Sequence, residues 1–209
     1  MSAGDEVRVF IVDDDASVRR SLRSLLGEVG VPATDFPSAE ALLEVVGEDT
    51  RGCVLLDVRM PGMSGLQLQE VLRERGLKLL VIVLTGHADV PMAVRAMKAG
   101  AVDFIEKPFN PQLLIERIQA CLDAEAQAHA RGQRRRDAEA LLRSLSTRER
   151  EVLELLVTGK PSKVIASTLG ISEKTVDVHR SHLMRKTGTR SVAELVQLWV
   201  VAWGKEPGS

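Results

Sequence analysis

Tyrosine is absent from this 209-residue chain, and aromatic residues reach only 3%. Four are phenylalanines and two are tryptophans, Trp199 and Trp203, both near the end. Single-stranded nucleic acid is commonly held by bases stacked on successive rings, and so few rings argue against that mode. Cysteine is equally scarce. Cys53 and Cys121 stand far apart in sequence, which gives neither a disulfide framework nor a thiolate cluster and fits a reducing cytosol. No apolar run approaches the ~20 residues that span a bilayer. The opening stretch MSAGDEVR carries acids where a secretory leader has an apolar core. A cytoplasmic protein with no membrane partner is expected. No G-x-G-x-x-G follows the first apolar run, which argues against a dinucleotide enzyme.

What is present divides in two. The net charge of −1 hides 13 Lys+Arg against 20 Asp+Glu in residues 1–125, and 15 against 9 in residues 126–209. An acidic front and a basic back point to two domains with different partners, the second one polyanionic. The 44% hydrophobic content suffices for ordinary cores.

In the first 125 residues short apolar runs alternate with longer amphipathic ones. Strands are predicted over 7–12, 33–36, 53–57, 79–84 and 102–105, with helices between them, as where Val18, Leu22, Leu25, Leu26 and Val29 recur at helical spacing. Near-continuous apolar strands separated by helices predict a five-stranded, doubly wound parallel sheet, an α/β domain. Such sheets bind ligands beyond the carboxyl ends of their strands. A helix from Asn110 then loses its apolar stripe, and 126–143 reads as an exposed, charged helical linker, continuous or broken at Gly132. Residues 144–209 read as a smaller all-helical domain.

The strand ends carry chemistry. Asp13 and Asp14 follow the first strand in FIVDDDASVRR, Asp57 ends the third in GCVLLDVRMPGMSG, Thr85 ends the fourth in VIVLTGHADVP, and Lys107 follows the fifth in DFIEKPF. Taken singly, these are ordinary caps, turns and surface groups. Taken together, three acids and a lysine at one rim compose a hard-cation site beside a phosphate-sized anion, and oxygen ligands with room for water favour Mg²⁺. Asp57 there is placed to act as a nucleophile toward a phosphoryl group, with the cation and Lys107 neutralising the incoming oxygens and Thr85 hydrogen-bonding one of them. Pro108 invites a cis bond that turns the lysine back toward the pocket.

Across residues 7–125 these motifs resemble the receiver domain of two-component response regulators, and VLTGHADVPMAVRAMKAGAVDFIEKPF is particularly similar to the FixJ branch. The resemblance implies that Asp57 is the phosphoacceptor, that Asp13, Asp14 and the Arg59 carbonyl join it around the metal, that Thr85 and Phe104 are the switch pair, and that Lys107 pairs with phosphate. Asp15 receives no direct metal role. A phosphatase of the haloacid dehalogenase type also uses a strand-end Asp with Mg²⁺. It wants a second acid two residues on, where this chain has Arg59.

The basic end reads PSKVIASTLGISEKTVDVHRSHLMRKTG. Ala166, Gly170 and Val176 have the spacing of a helix-turn-helix: a small residue for close approach, a glycine for the turn, a β-branched residue between helices. Ser172 is placed to cap the second helix. On that helix Val176, His179 and Leu183 share one side, with His179 a core histidine rather than a ligand. Lys174, Asp177, Val178, Ser181 and Arg185 share the other, with Arg180 at the flank and Thr175 counted among the DNA-facing residues. Such a stripe suits the major groove of duplex DNA. Asp177 is unusual there. It either accepts from cytosine or orients a neighbouring arginine. Residues 145–200 resemble the LuxR-type DNA-binding domain, whose four helices are expected over 147–158, 162–169, 173–186 and 191–201. The resemblance implies that the third helix enters the groove and the fourth pairs two subunits.

The whole is similar to NarL/FixJ-type regulators. A cognate histidine kinase, promoter DNA and RNA polymerase are the implied partners, activation the implied outcome, and the protein is not expected to be an enzyme. Phosphorylation is expected to favour a homodimer through Val94, Lys98 and Asp103, with Lys98 and Asp103 forming an internal or an intersubunit pair. A constitutive DNA binder whose receiver serves only as a scaffold is the alternative.

Overall fold

The computed structural model describes residues 7–86 and 89–204. The first six positions, on which the absence of a leader was read, lie outside them. The chain divides into two compact units, Met1–Ala128 and His129–Ser209.

The first unit alternates β1 (Arg8–Val12), α1 (Ala16–Glu28), β2 (Ala33–Phe36), α2 (Ala39–Leu43), β3 (Gly52–Asp57), α3 (Gly65–Glu74), β4 (Leu80–Thr85), α4 (Val90–Lys98), β5 (Asp103–Glu106) and the start of α5 (Pro111–Arg143). All neighbouring strands are parallel and the order is β2-β1-β3-β4-β5. Side chains alternate across each strand. Phe10, Val12, Val54, Leu56, Val81 and Val83 bury one face against α2, α3 and α4, while Val9, Ile11, Cys53, Leu55, Ile82 and Leu84 bury the other against α1 and α5. Coverage on both sides explains why all six residues of β3 are buried and why its sequence runs apolar without a break. Cys53 and Cys121, distant in sequence, meet in the second face, where their mutual hydrogen bond and burial push the Cys53 thiol well up.

Strand order reverses at β1, so the crevice between the carboxyl ends of β1 and β3 is the switch point where such sheets take ligands. The β1–β3 register pairs Val12 with Leu56 and the β3–β4 register pairs Asp57 with Leu84. Asp13 and Asp57 therefore leave their strands at the same level, with Thr85 one residue further on. The strand spans differ from those expected by one residue at most termini.

In the second unit the end of α5 joins α6 (Thr147–Val157), α7 (Ser162–Leu169), α8 (Glu173–Thr187) and α9 (Val192–Trp203). Helix α5 runs through Gly132 without a break. The reading of 126–143 as exposed needs correction: Ala138 and Leu142, with Leu145 beyond them, are buried against Leu153, Leu183, Leu195 and Ala202. Spacings of four and three put these three on one face, an apolar stripe that resumes after the charged turns. Glu125, the last residue before the expected linker, is buried and closed by a two-pronged pair from Arg51 at 2.9 and 3.0 Å.

Candidate functional site

The turn after β1 begins where the strand runs out of apolar residues. Asp15 caps α1 by accepting from Ser17 Oγ at 2.6 Å and from Ser17 N–H at 2.7 Å, and these bonds hold its carboxyl below the usual range. That leaves Asp13 at the strand tip, buried, and Asp14 exposed beside it. One Asp13 oxygen accepts Asp15 N–H at 2.9 Å. At the end of β3, Asp57 is also buried, and its Oδ2 accepts Arg59 N–H at 2.7 Å. The chain then turns through Pro61 and Gly62 into α3, whose first residue, Gly65, lies so close behind the site that a Cβ there would meet the Asp57 carbonyl oxygen at 2.1 Å. Only glycine fits behind Asp57.

Lys107 completes the cup. Its N–H donates to the Thr85 carbonyl at 2.7 Å, continuing the β4–β5 pairing, and the following Lys107–Pro108 peptide is cis. Its Nζ donates to Asp13 Oδ2 at 2.6 Å and to Asp57 Oδ1 at 2.7 Å. Burial works against its charge, but the bonds to Asp13 and Asp57 outweigh that and push the ammonium up from the ordinary lysine value. Thr85 is buried at the adjoining strand end, and Phe104 on β5 is half-buried.

The structure thus brings together Asp13, Asp57, Thr85 and Lys107. Asp14, exposed beside Asp13, lines an open cleft of about 800 Å³ with Arg59, Ser64, Gln67 and Arg95. Among the described residues, no group of three or more His, Cys, Asp or Glu is placed to hold a metal ion by itself. The donor chemistry nevertheless fits a hard, hydrated cation. Two buried carboxylate oxygens face one point, now filled by Nζ, and Mg²⁺ is held by one or two carboxylates with its remaining positions in water. Receiver domains generally bind Mg²⁺ at this position.

On α4 of the same unit, Val94 and Lys98 are exposed. Asp103 turns away from Lys98: its Oδ2 lies 3.3 Å from Arg117 Nε on α5. The sequence left an internal and an intersubunit Lys98–Asp103 pair open; within the chain, α5 supplies Arg117 as the neighbour of Asp103.

In the second unit, α7 ends at Gly170 in the left-handed region (φ 66°), which an L side chain resists. Ser172 then caps α8 by accepting Thr175 N–H, and Ala166 and Val176 are buried between the two helices. Val176 and Leu183 are core, His179 is half-buried, and Lys174, Asp177, Val178, Ser181 and Arg185 are exposed. Val178 is 47% exposed. Thr175 bonds back to Ser172 at 2.7 Å. Arg180 lies partly buried, donating to Ser162 Oγ at 2.9 Å; Ser162 in turn donates to Asp177 at 3.3 Å, and Arg180 stands 4.0 Å from that carboxylate. Asp177 and Arg180 are thus joined through Ser162.

Sequence reasoning missed one pair in this unit. Glu149 closes a capping box with Ser146 and accepts from Lys186 Nζ at 2.7 Å. The lysine bond, then those of Ser146 against the cost of burial, lowers the Glu149 carboxyl to about 2. Ser146 and Glu149 had the spacing of a capping box; Lys186, 37 residues away, had no such signal.

Known proteins fit this geometry. The profile of the response regulator receiver domain matches residues 9–119, and that of bacterial regulatory proteins of the luxR family matches residues 143–199. The transcriptional regulatory protein FixJ of Azorhizobium caulinodans is 44% identical over 95% of this chain and 94% of its own. The solved structure of the response regulator StyR superposes with a TM-score of 0.85 at 44% identity, over 93% of this chain and 98% of that one. Full-length FixJ from B. japonicum gives 0.58 at 38% identity, over 96% and 98%. The chain belongs to the two-component response regulators that join a receiver to a LuxR-type DNA-binding domain, the FixJ-like transcriptional regulators.

Proposed function

We propose that Asp57 accepts a phosphoryl group from a histidine kinase and that the modified receiver dimerises, raising the affinity of α8 for promoter DNA. The observation that carries this reading is the buried Asp57 carboxylate with Lys107 Nζ 2.7 Å from its Oδ1. An Asp57 oxygen forms the new P–O bond while the P–N bond of the donor phosphohistidine breaks and neutral imidazole leaves. Lys107 exchanges part of its carboxylate pairing for the arriving phosphoryl oxygens. Arg59 N–H steadies the other Asp57 oxygen, so the attacking one keeps its direction. Asp13, Asp14, Asp57 and the Arg59 carbonyl would hold Mg²⁺, which supplies charge neutralisation to the transferring group. Thr85 and Phe104, at neighbouring strand positions, respond to the new charge and carry it toward α4 and β5.

The exposed face with Val94, Lys98 and Asp103 serves the phosphorylated homodimer, and two copies of α8 then meet two half-sites. Lys174, Thr175, Asp177, Val178, Arg180, Ser181 and Arg185 contact the duplex. Activation, through contact with RNA polymerase, is the favoured outcome. No described helix is long and apolar enough to cross a membrane, in keeping with action in the cytoplasm.

Intact-mass measurement after incubation with acetyl phosphate and Mg²⁺ tests the reading. One added phosphate is expected on the wild type and none on Asp57→Asn, with sedimentation and DNA affinity shifting only for the former. Labelling at another residue, or equal dimerisation of both proteins, would remove it.

A further inference from the structure

One mostly buried arginine of the first unit is not explained by the phosphoacceptor chemistry. Arg19, in the first turns of α1, is mostly buried, with 14% of its side chain exposed. Its Nη1 donates to the Asp13 carbonyl at 2.7 Å and to the Asp14 carbonyl at 3.0 Å, while its Nε donates to Asp35 Oδ2 on β2 at 3.1 Å. Asp35 Oδ1 is taken by Arg23 at 2.8 Å. Both carbonyls belong to the acids that follow β1. We propose that Arg19 is a positioning residue for the cation site, clamping the Asp13–Asp14 turn through its backbone so that both carboxyl groups leave it in fixed directions. The inference rests on the Mg²⁺-dependent reading above.

Three physical points support it. First, a carbonyl's direction fixes the plane of its peptide, and the two planes held here flank Asp14, fixing its backbone angles and the ψ of Asp13, which β1 already anchors on its other side. Second, the guanidinium fork reaches three oxygens at once, a geometry that a lysine ammonium on a flexible stem does not reproduce. Third, an unpaired cation behind two metal-binding acids would compete with the metal, and here Asp35 cancels it. Burial opposes ionisation of Asp35, but the bonds from Arg23 and Arg19 outweigh it and hold the carboxyl below the usual range. Arg19 and Asp35 together are neutral, and the charge of Arg23 lies on the solvent side, 58% exposed, leaving the charge of Asp13 and Asp14 for the ligand. Groups that hold ligands from behind commonly change metal affinity by tenfold or more when altered.

Titration calorimetry of Mg²⁺ into the full chain separates this role from general stabilisation. Arg19→Lys keeps the charge and loses the fork; its Kd is expected to rise by about tenfold. Arg23→Gln removes only the outer, 58% exposed contact to Asp35 and is expected to stay within about twofold of wild type. Asp35→Asn keeps the fork and uncovers its charge, and provides a second route to the same weakening should Arg19→Lys not fold. With acetyl phosphate, the Mg²⁺ concentration giving half-maximal labelling should rise for Arg19→Lys while the rate at saturating Mg²⁺ returns to that of wild type. Unchanged Mg²⁺ affinity in folded Arg19→Lys or Asp35→Asn, or an equal loss in Arg23→Gln, overturns the clamp alone. Absence of Mg²⁺ binding by wild type overturns the cation site and the clamp with it.

Discussion

Lys107 and Asp57 stand 2.7 Å apart, ammonium to carboxylate, although 50 residues separate them and each arrives from a different strand. The same ammonium reaches Asp13 at 2.6 Å, so one cation holds two buried carboxylates. Lys107→Met is expected to lower receiver stability by about 2–3 kcal/mol at neutral pH, since two acids lose their counter-ion, and to slow labelling by acetyl phosphate severely. The folded-state pKa of Lys107 is raised above the ordinary 10.5. Its contribution is thus complete below that value and lost only as pH rises through the higher folded one. The stability difference between wild type and Lys107→Met, measured by denaturant unfolding, should close only on the alkaline side of 10.5.

The second unit has the opposite dependence. Glu149 has its carboxyl lowered from 4.5 to about 2, so the stability it contributes is present above pH 4.5 and lost as pH falls toward 2. The full shift is discounted because Lys186 is 40% exposed, leaving about 2 kcal/mol. Glu149→Gln should lose that amount at pH 7 and almost nothing at pH 2, as judged by urea unfolding at each pH. A constant difference would show that the capping box, not the ion pair, is what matters.

Arg51 and Glu125 form the most enclosed two-pronged ion pair of the first unit among the described residues, with side chains 16% and 7% exposed. Arg51→Ala is expected to cost about 3 kcal/mol, because Glu125 would keep its charge without a partner. The double variant Arg51→Met, Glu125→Leu should recover most of that loss. Thermal unfolding of the three proteins measures both.

Asp177 lies on the face assigned to DNA and bears the wrong charge for phosphates. Asp177→Ala should nevertheless weaken binding to a target duplex by about three- to tenfold, since Arg180 then loses one of the groups that orient it. Fluorescence anisotropy decides the sign, and tighter binding would mean that repulsion dominates.

Which of these relations were visible in the sequence follows from their range. The sheet was readable because β3 is covered on both faces and spells that coverage as unbroken apolar residues. The cup was readable because Asp13, Asp57, Thr85 and Lys107 each end an apolar run, and topology alone brings strand ends together. Hidden were the partnerships that depend on which long side chain reaches across: Arg51 to Glu125, Lys186 to Glu149, and Arg117 rather than Lys98 to Asp103. Arginine and lysine stems span several ångströms in many directions, so neighbouring positions in sequence constrain them weakly. The return of an apolar stripe at Ala138, Leu142 and Leu145 was different. Its spacing of four and three is legible in the sequence, directly after a run of arginines.

Trp199 and Trp203 pack edge to face in α9 with ring centres 4.0 Å apart, and the chain has no other tryptophan and no tyrosine. The near-ultraviolet light this protein absorbs and emits therefore comes almost wholly from its final helix. An emission spectrum reports the DNA-binding half while the phosphorylated half stays dark, so any change in colour on adding a phosphodonor must have travelled from one to the other.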